Sequence, residues 1–153
     1  MYSYNDVADW FLAKGKGTIS PKKLQKLVYY AYAWTLTLLN DSVENLNIKL
    51  FDDAKFEAWV HGPVIRSLYS EYADFGFNPI NVQKESPQFT EDVEDILNQV
   101  WDIYSSYTAD ELESMTHQEL PWKNARKGLS PLDSSSNYIS DEDMFKCYIQ
   151  RVA

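Results

Sequence analysis

The sequence predicts a mainly α, compact single-domain fold wrapped around one buried central helix at about residues 20–39, with a short β-hairpin near 48–60. The stretch SPKKLQKLVYYAYAWTLTLL carries charge only at its start, and Leu24, Leu27, Val28, Ala31 and Leu38 recur at the three-and-four spacing of one helix face. Its other side, with Tyr29, Tyr30, Ala33 and Trp34, is also apolar or aromatic, and a helix greasy all round is buried on several sides. Finally, 153 residues with five Trp, eleven Tyr and seven Phe make one ordinary domain with material for one core, so 1–153 reads as a single unit.

Each element has a local cause. Ser3 and Asp6 have the spacing of a capping box, and Val7, Trp10 and Phe11 follow at helical spacing, which predicts a first helix to about residue 14. Two glycines, Gly15 and Gly17, stop it. Ser20 suits the N-cap of the central helix and Pro21 its first position, where no N–H is missed. The uncharged part of that helix, about 20 Å at ~1.5 Å per residue, falls short of a bilayer core of roughly 30 Å, so no membrane partner is expected.

After a polar turn at 40–45, apolar runs on either side of Asp52 and Asp53 predict the hairpin. Gly62 and Pro63 then open a helix over 64–72 with Ile65, Leu68, Tyr69 and Tyr72 inward. Residues 73–89 read as an irregular segment packed by Phe75 and Phe77. A strong helix starts near Thr90, its stripe formed by Val93, Ile96, Leu97, Val100, Trp101 and Tyr104. Thr108 and Glu111 form a capping box for a short helix ending near Thr116 and His117, and another brief helix begins near Pro121 and stops at Gly128. A Ser-rich surface loop at 129–137 precedes a last helix capped at Ser140, with Met144, Phe145, Tyr148, Ile149 and Val152 on its apolar side.

Acidic residues outnumber basic ones, 23 to 14, for a formal charge of -9, whereas phosphate binding needs concentrated Lys and Arg. The only basic cluster, Lys22, Lys23 and Lys26, spans little more than a turn and reads as a solvated helix start, so no direct nucleic-acid partner is expected. The N-terminal MYSYNDVADWF carries acids where a signal segment needs a basic region, and the lone Cys147 cannot close an internal disulfide. A cytoplasmic location follows as the expectation. Cys147 lies on the apolar side of the last helix and reads as a small buried hydrophobe.

Candidate chemistry is sparse. His61 and His117 could serve as acid and base of a hydrolase, or bind a metal with Glu57 or Asp110, but no Cys-x-x-Cys or His-x-x-x-His spacing, nucleophile elbow or phosphate-cradling loop accompanies them. No enzyme activity, metal or cofactor is therefore expected. Trp59 and Trp122 each stand near a His and a Pro. One reading has each indole filling the core while the imidazoles bond loop backbone; the other brings them together, with Lys26 and Tyr29 or Tyr30, as an aromatic surface that anchors a partner protein.

Three segments carry a resemblance. ISPKKLQKLVYYAYAW, LFDDAKFEAWVHGPVIRSLYSEY and ELESMTHQELPWKNAR resemble, in order and spacing, the Panacea or SocA-like antitoxin domain, also met in phage and mobile-element proteins labelled GepA. The matching positions are Leu24, Lys26, Leu27 and Tyr30; Glu57, Trp59, His61, Gly62, Pro63 and Val64; and Thr116, His117, Pro121 and Trp122. The resemblance implies a mainly helical antitoxin of a type II pair that holds a cognate toxin inactive by direct protein binding, the toxin being encoded by an adjacent gene. The alternative it leaves open is a phage or mobile-element adaptor delivering a bound partner to a host protease or other machinery. Some relatives carry an extra DNA-binding segment, which this chain has no room for.

Overall fold

The computed structural model describes residues 1–152; Ala153, included in the expected unit, lies outside them. The fold is mainly α. Helices α1 (Tyr4–Gly15) and α2 (Pro21–Leu39) lead into a two-stranded antiparallel hairpin, β1 (Glu57–Trp59) and β2 (Gly62–Val64). Helix α3 (Arg66–Tyr72) runs into a single 3-10 turn (Ala73–Phe75). Helices α4 (Glu91–Tyr104), α5 (Ala109–His117), α6 (Leu120–Ala125) and α7 (Asp141–Ile149) complete the chain.

Four helix starts, those of α1, α2, α5 and α7, have the capping chemistry expected of them. The Ser3 hydroxyl accepts from the Asn5 N–H while Asp6 accepts from the Ser3 N–H, and Thr108 and Glu111 reciprocate in the same way before α5. Ser20 and Ser140 accept from Lys23 and Asp143 N–H groups. Lys16, in the left-handed region, and Gly17 after it end α1 and turn the chain into α2.

Helix α2 is the axis of the molecule. Helices α1, α3, α4, α5 and α7 and the hairpin gather round it, and residues from Leu24 to Ala33 are buried without interruption. Burying one large apolar side chain is worth about 1.5–3 kcal/mol, which explains why a segment so poor in charge takes the centre. Only the end of the predicted face escapes, since Leu38 is exposed. Polar tips of the aromatic residues find partners: Trp10 Nε1 donates to Glu94 at 3.0 Å, joining α1 to α4, and Trp34 Nε1 donates to the Tyr104 hydroxyl at 2.9 Å. Among the described residues no helix is long and apolar enough to cross a membrane.

Several expectations need correction. The hairpin does not turn at Asp52 and Asp53; Phe51 instead makes an isolated bridge to Tyr2, and β1 pairs with the segment after it. The turn lies at Val60 and His61 because Gly62 adopts φ +113°, which side chains resist. Pro63 belongs to β2 and does not start a helix. It stands opposite Ala58, whose N–H points away to Asn137 O at 2.8 Å, so the ladder needs no donor from Pro63. The helix accordingly starts at Arg66, two residues late. Tyr69 is half exposed and Phe77 is 94% exposed, so neither packs inward. In α7, Met144, Phe145 and Tyr148 are buried, whereas Ile149 at its end is exposed, as is Val152, which lies beyond the helix. Cys147 is half-buried against the core, and burial pushes its thiol up. The Ser-rich loop ends by running beside β1, with Ile139 N–H donating to Phe56 O at 2.9 Å.

The basic start of α2 is not solvated as expected. Lys26 is 1% exposed, Lys23 Nζ donates to Ser105 O at 2.6 Å, and Lys22 pairs with Asp110 at 2.7 Å and Glu113 at 2.5 Å. The reason is tertiary: α5 and the hairpin close over this turn of the helix.

Candidate functional site

The three sequence motifs meet at the hairpin. Gly62 sits directly on Lys26: a Cβ there would lie 2.6 Å from Lys26 Cε and 3.1 Å from Thr116 Oγ1. Its positive φ and this approach both require glycine. Beneath it, Lys26 Nζ donates to the Pro63 carbonyl oxygen at 3.2 Å. That single neutral acceptor leaves the ammonium poorly compensated. Burial pushes Lys26 down to about 7, with Lys22 adding to the fall and Glu113 opposing it.

The last motif closes over the other side of the turn. Trp122 Nε1 donates to Trp59 O at 2.8 Å, and the His117 ring stacks on Trp122 at 4.0 Å between centroids, 18° from parallel. Burial lowers the His117 pKa, so the stacked imidazole favours its neutral form. Arg126 lies over the Trp122 ring and donates to Ala58 O at 2.9 Å and Asp133 O at 2.7 Å, pinning β1 and the Ser-rich loop to α6. Pro121 is buried at the start of α6, and Thr116 is buried with its hydroxyl bonded to Glu113 O at 2.8 Å.

Glu57 anchors the outer face of β1. Arg66 grips its carboxylate with Nε at 3.1 Å and Nη2 at 2.8 Å, and Trp59 Nε1 donates to it at 3.1 Å. Burial alone would raise the Glu57 pKa, but these bonds outweigh it and hold the carboxyl below its usual range. Trp59 is then held between the Arg66 guanidinium and the Tyr69 ring, 5.0 Å away in an edge contact. His61, largely exposed at the turn, meets Glu113 at 3.1 Å. Glu113 thereby joins His61 to Lys22; burial would raise its pKa, and those two partners lower it instead.

Leu24, Lys26, Trp59, His61 and Val64 line an apolar groove of about 620 Å³ between the start of α2, the hairpin and α3, with Phe77 at its rim. Leu27 and Tyr30 do not reach it. Leu27 is fully buried, and Tyr30 stacks on Tyr104 at 4.1 Å while its hydroxyl donates to Glu119 at 2.9 Å in the core. Burial and then the Glu119 charge push the Tyr30 hydroxyl well up. Tyr29 is likewise core, so the expected aromatic surface excludes both tyrosines. The expectation that both imidazoles bond loop backbone also fails for His61, which takes a carboxylate.

Glu113, Arg66, Arg126 and Glu119 were not singled out by the sequence. Glu113 stands four residues before His117 on one helix face, a spacing that could have flagged it; nothing local marks the other three. Among the described residues no three His, Cys, Asp or Glu side chains come close enough together to hold a metal ion.

A family model described as Antitoxin SocA-like, Panacea domain, matches residues 24–123, which include every motif position from Leu24 to Trp122 and leave α1 and α7 outside. No curated protein and no solved structure matches the chain.

Proposed function

Because the chain belongs to the SocA-like antitoxin family through its Panacea domain, we propose that it is the antitoxin of a type II pair and silences its cognate toxin by direct, stoichiometric binding, without catalysis. The observation that carries this reading is the convergence of all three motifs on one hairpin beside an open apolar groove. Two of their polar groups hold the hairpin in place: Glu57 is gripped by Arg66, and His61 meets Glu113, which Lys22 shares. Such an arrangement presents a rigid surface, and rigid aromatic-rich surfaces suit protein recognition. The surplus of acid residues would favour encounter with a basic partner.

Expressing the adjacent reading frame alone should arrest growth, and co-expression with this chain should restore it. In vitro, titrating the purified toxin should give an end point at a fixed molar ratio. Equal growth in both cultures counts against the pairing, and inactivation of many toxin molecules by one copy of this chain counts against stoichiometric binding.

A further inference from the structure

We propose that the groove between the start of α2, the hairpin and α3 is the partner-contact site, and that it seats a peptide segment in which a side-chain carboxylate stands beside a large apolar residue. Only the identification of that partner as the toxin rests on the antitoxin reading.

The apolar half of the occupant follows from the walls. Leu24, Val64, Leu68 and Tyr72 come from three elements to line about 620 Å³. Tyr69, 47% exposed, and Phe77, 94% exposed, stand along it. An almost bare phenylalanine beside an apolar cleft is what an interface anchor looks like before its partner arrives.

The acidic half follows from charge. Of the charged groups lining the groove, all but one have a partner of opposite sign, and the Tyr72 hydroxyl there is also buried without a hydrogen-bond partner. Gln25 exchanges two hydrogen bonds with the Ile65 backbone, at 3.0 and 2.9 Å, and Lys22 already holds Asp110 and Glu113. Lys26 has the Pro63 carbonyl oxygen and forms no ion pair among the described residues, although it is 1% exposed. A buried cation gains most from an anion delivered to it, because removing both from water strengthens their attraction.

The ionisable groups around Lys26 are Lys22 on its own helix, Glu113, Asp110 and His117 on α5, and His61 on the turn; α3 offers Tyr69 and Tyr72 towards the groove. Free Lys26 loses its proton above about 7. A docked carboxylate restores it, so binding takes up a proton and affinity falls as pH rises beyond that point.

Random twelve-residue peptides displayed on phage, selected on the full chain and then synthesised for fluorescence anisotropy, test this. Selected peptides should carry Asp or Glu next to Leu, Phe or Trp. Changing that acid to its amide should weaken binding about tenfold to the natural chain and not to Lys26→Met. The affinity should drop by up to about tenfold per pH unit above 7, and this slope should vanish in Lys26→Met, which keeps both histidines. Tyr69→Ala with Phe77→Ala, both on exposed side chains, should weaken every peptide about tenfold while the circular dichroism stays unchanged.

Selection of peptides without an acid, no selection at all, displacement by decanoate but by no peptide, or affinities indifferent to these substitutions would each overturn the proposal. Toxin neutralisation that survives Tyr69→Ala with Phe77→Ala would overturn the groove as the toxin site. Peptide binding that meets every expectation in a chain that neutralises no neighbour would keep the groove and sink the antitoxin reading.

Discussion

Lys26 shows how much one side chain can carry. Folding encloses its ammonium under Gly62, and the enclosed group prefers to be neutral, with a pKa brought down from 10.5 to about 7 chiefly by burial. Since the unfolded chain binds this proton at higher pH than the folded one, acidification from about 10.5 to 7 progressively destabilises the fold. The cost is complete below 7 and absent above 10.5. Lys26→Met should therefore gain most against the natural chain at pH 6.5 and lose that advantage towards pH 10, as followed by urea unfolding; a pH-independent difference would contradict the linkage. The residue types of this site were legible in the sequence, for Lys26, Gly62, His117 and Trp122 all stood out there. Their states were not. Three lysines at a helix start read as solvated because a linear pattern does not reveal that α5 and a hairpin will cover the third of them.

At the scale of elements, the strong local signals survived and the weak ones moved. Capping boxes at Ser3 and Thr108 and the N-cap at Ser20 start their helices as expected, because a cap needs only neighbours a few residues away. The hairpin shifted because its register depends on non-local partners: Tyr2 takes Phe51, and Asn137 takes Ala58. Helices α2 and α7 are tied at the start of α6 by Glu119, which accepts from the Tyr30 and Tyr148 hydroxyls at 2.9 Å each and from Arg151 at 2.8 Å. Glu119→Gln keeps the shape but weakens the bonds from the two buried hydroxyls and from the half-exposed Arg151, and should cost about 1 kcal/mol in denaturant unfolding. A change within a few tenths would show that α7 is held by its apolar side alone.

Across the whole molecule the formal charge of -9 gathers at helix starts, with Glu91, Asp92 and Glu94 opening α4 and Asp141, Glu142 and Asp143 opening α7. If that field steers a basic toxin, the association rate measured by stopped flow should fall about tenfold between low and high salt while dissociation changes little. A salt-independent association rate would remove electrostatics from the encounter. The sequence by itself determined the mainly α class, the burial of α2, the starts of the side-chain-capped helices and the family, since hydrophobic periodicity, capping and motif order are written along the chain. Only the tertiary structure decided that Gly62 rests on Lys26, that Trp122 reaches back to Trp59 and that Phe77 is left bare beside a groove. These depend on elements far apart in the chain arriving together, and the energy of such contacts is fixed by distance in space, which spacing in sequence does not encode.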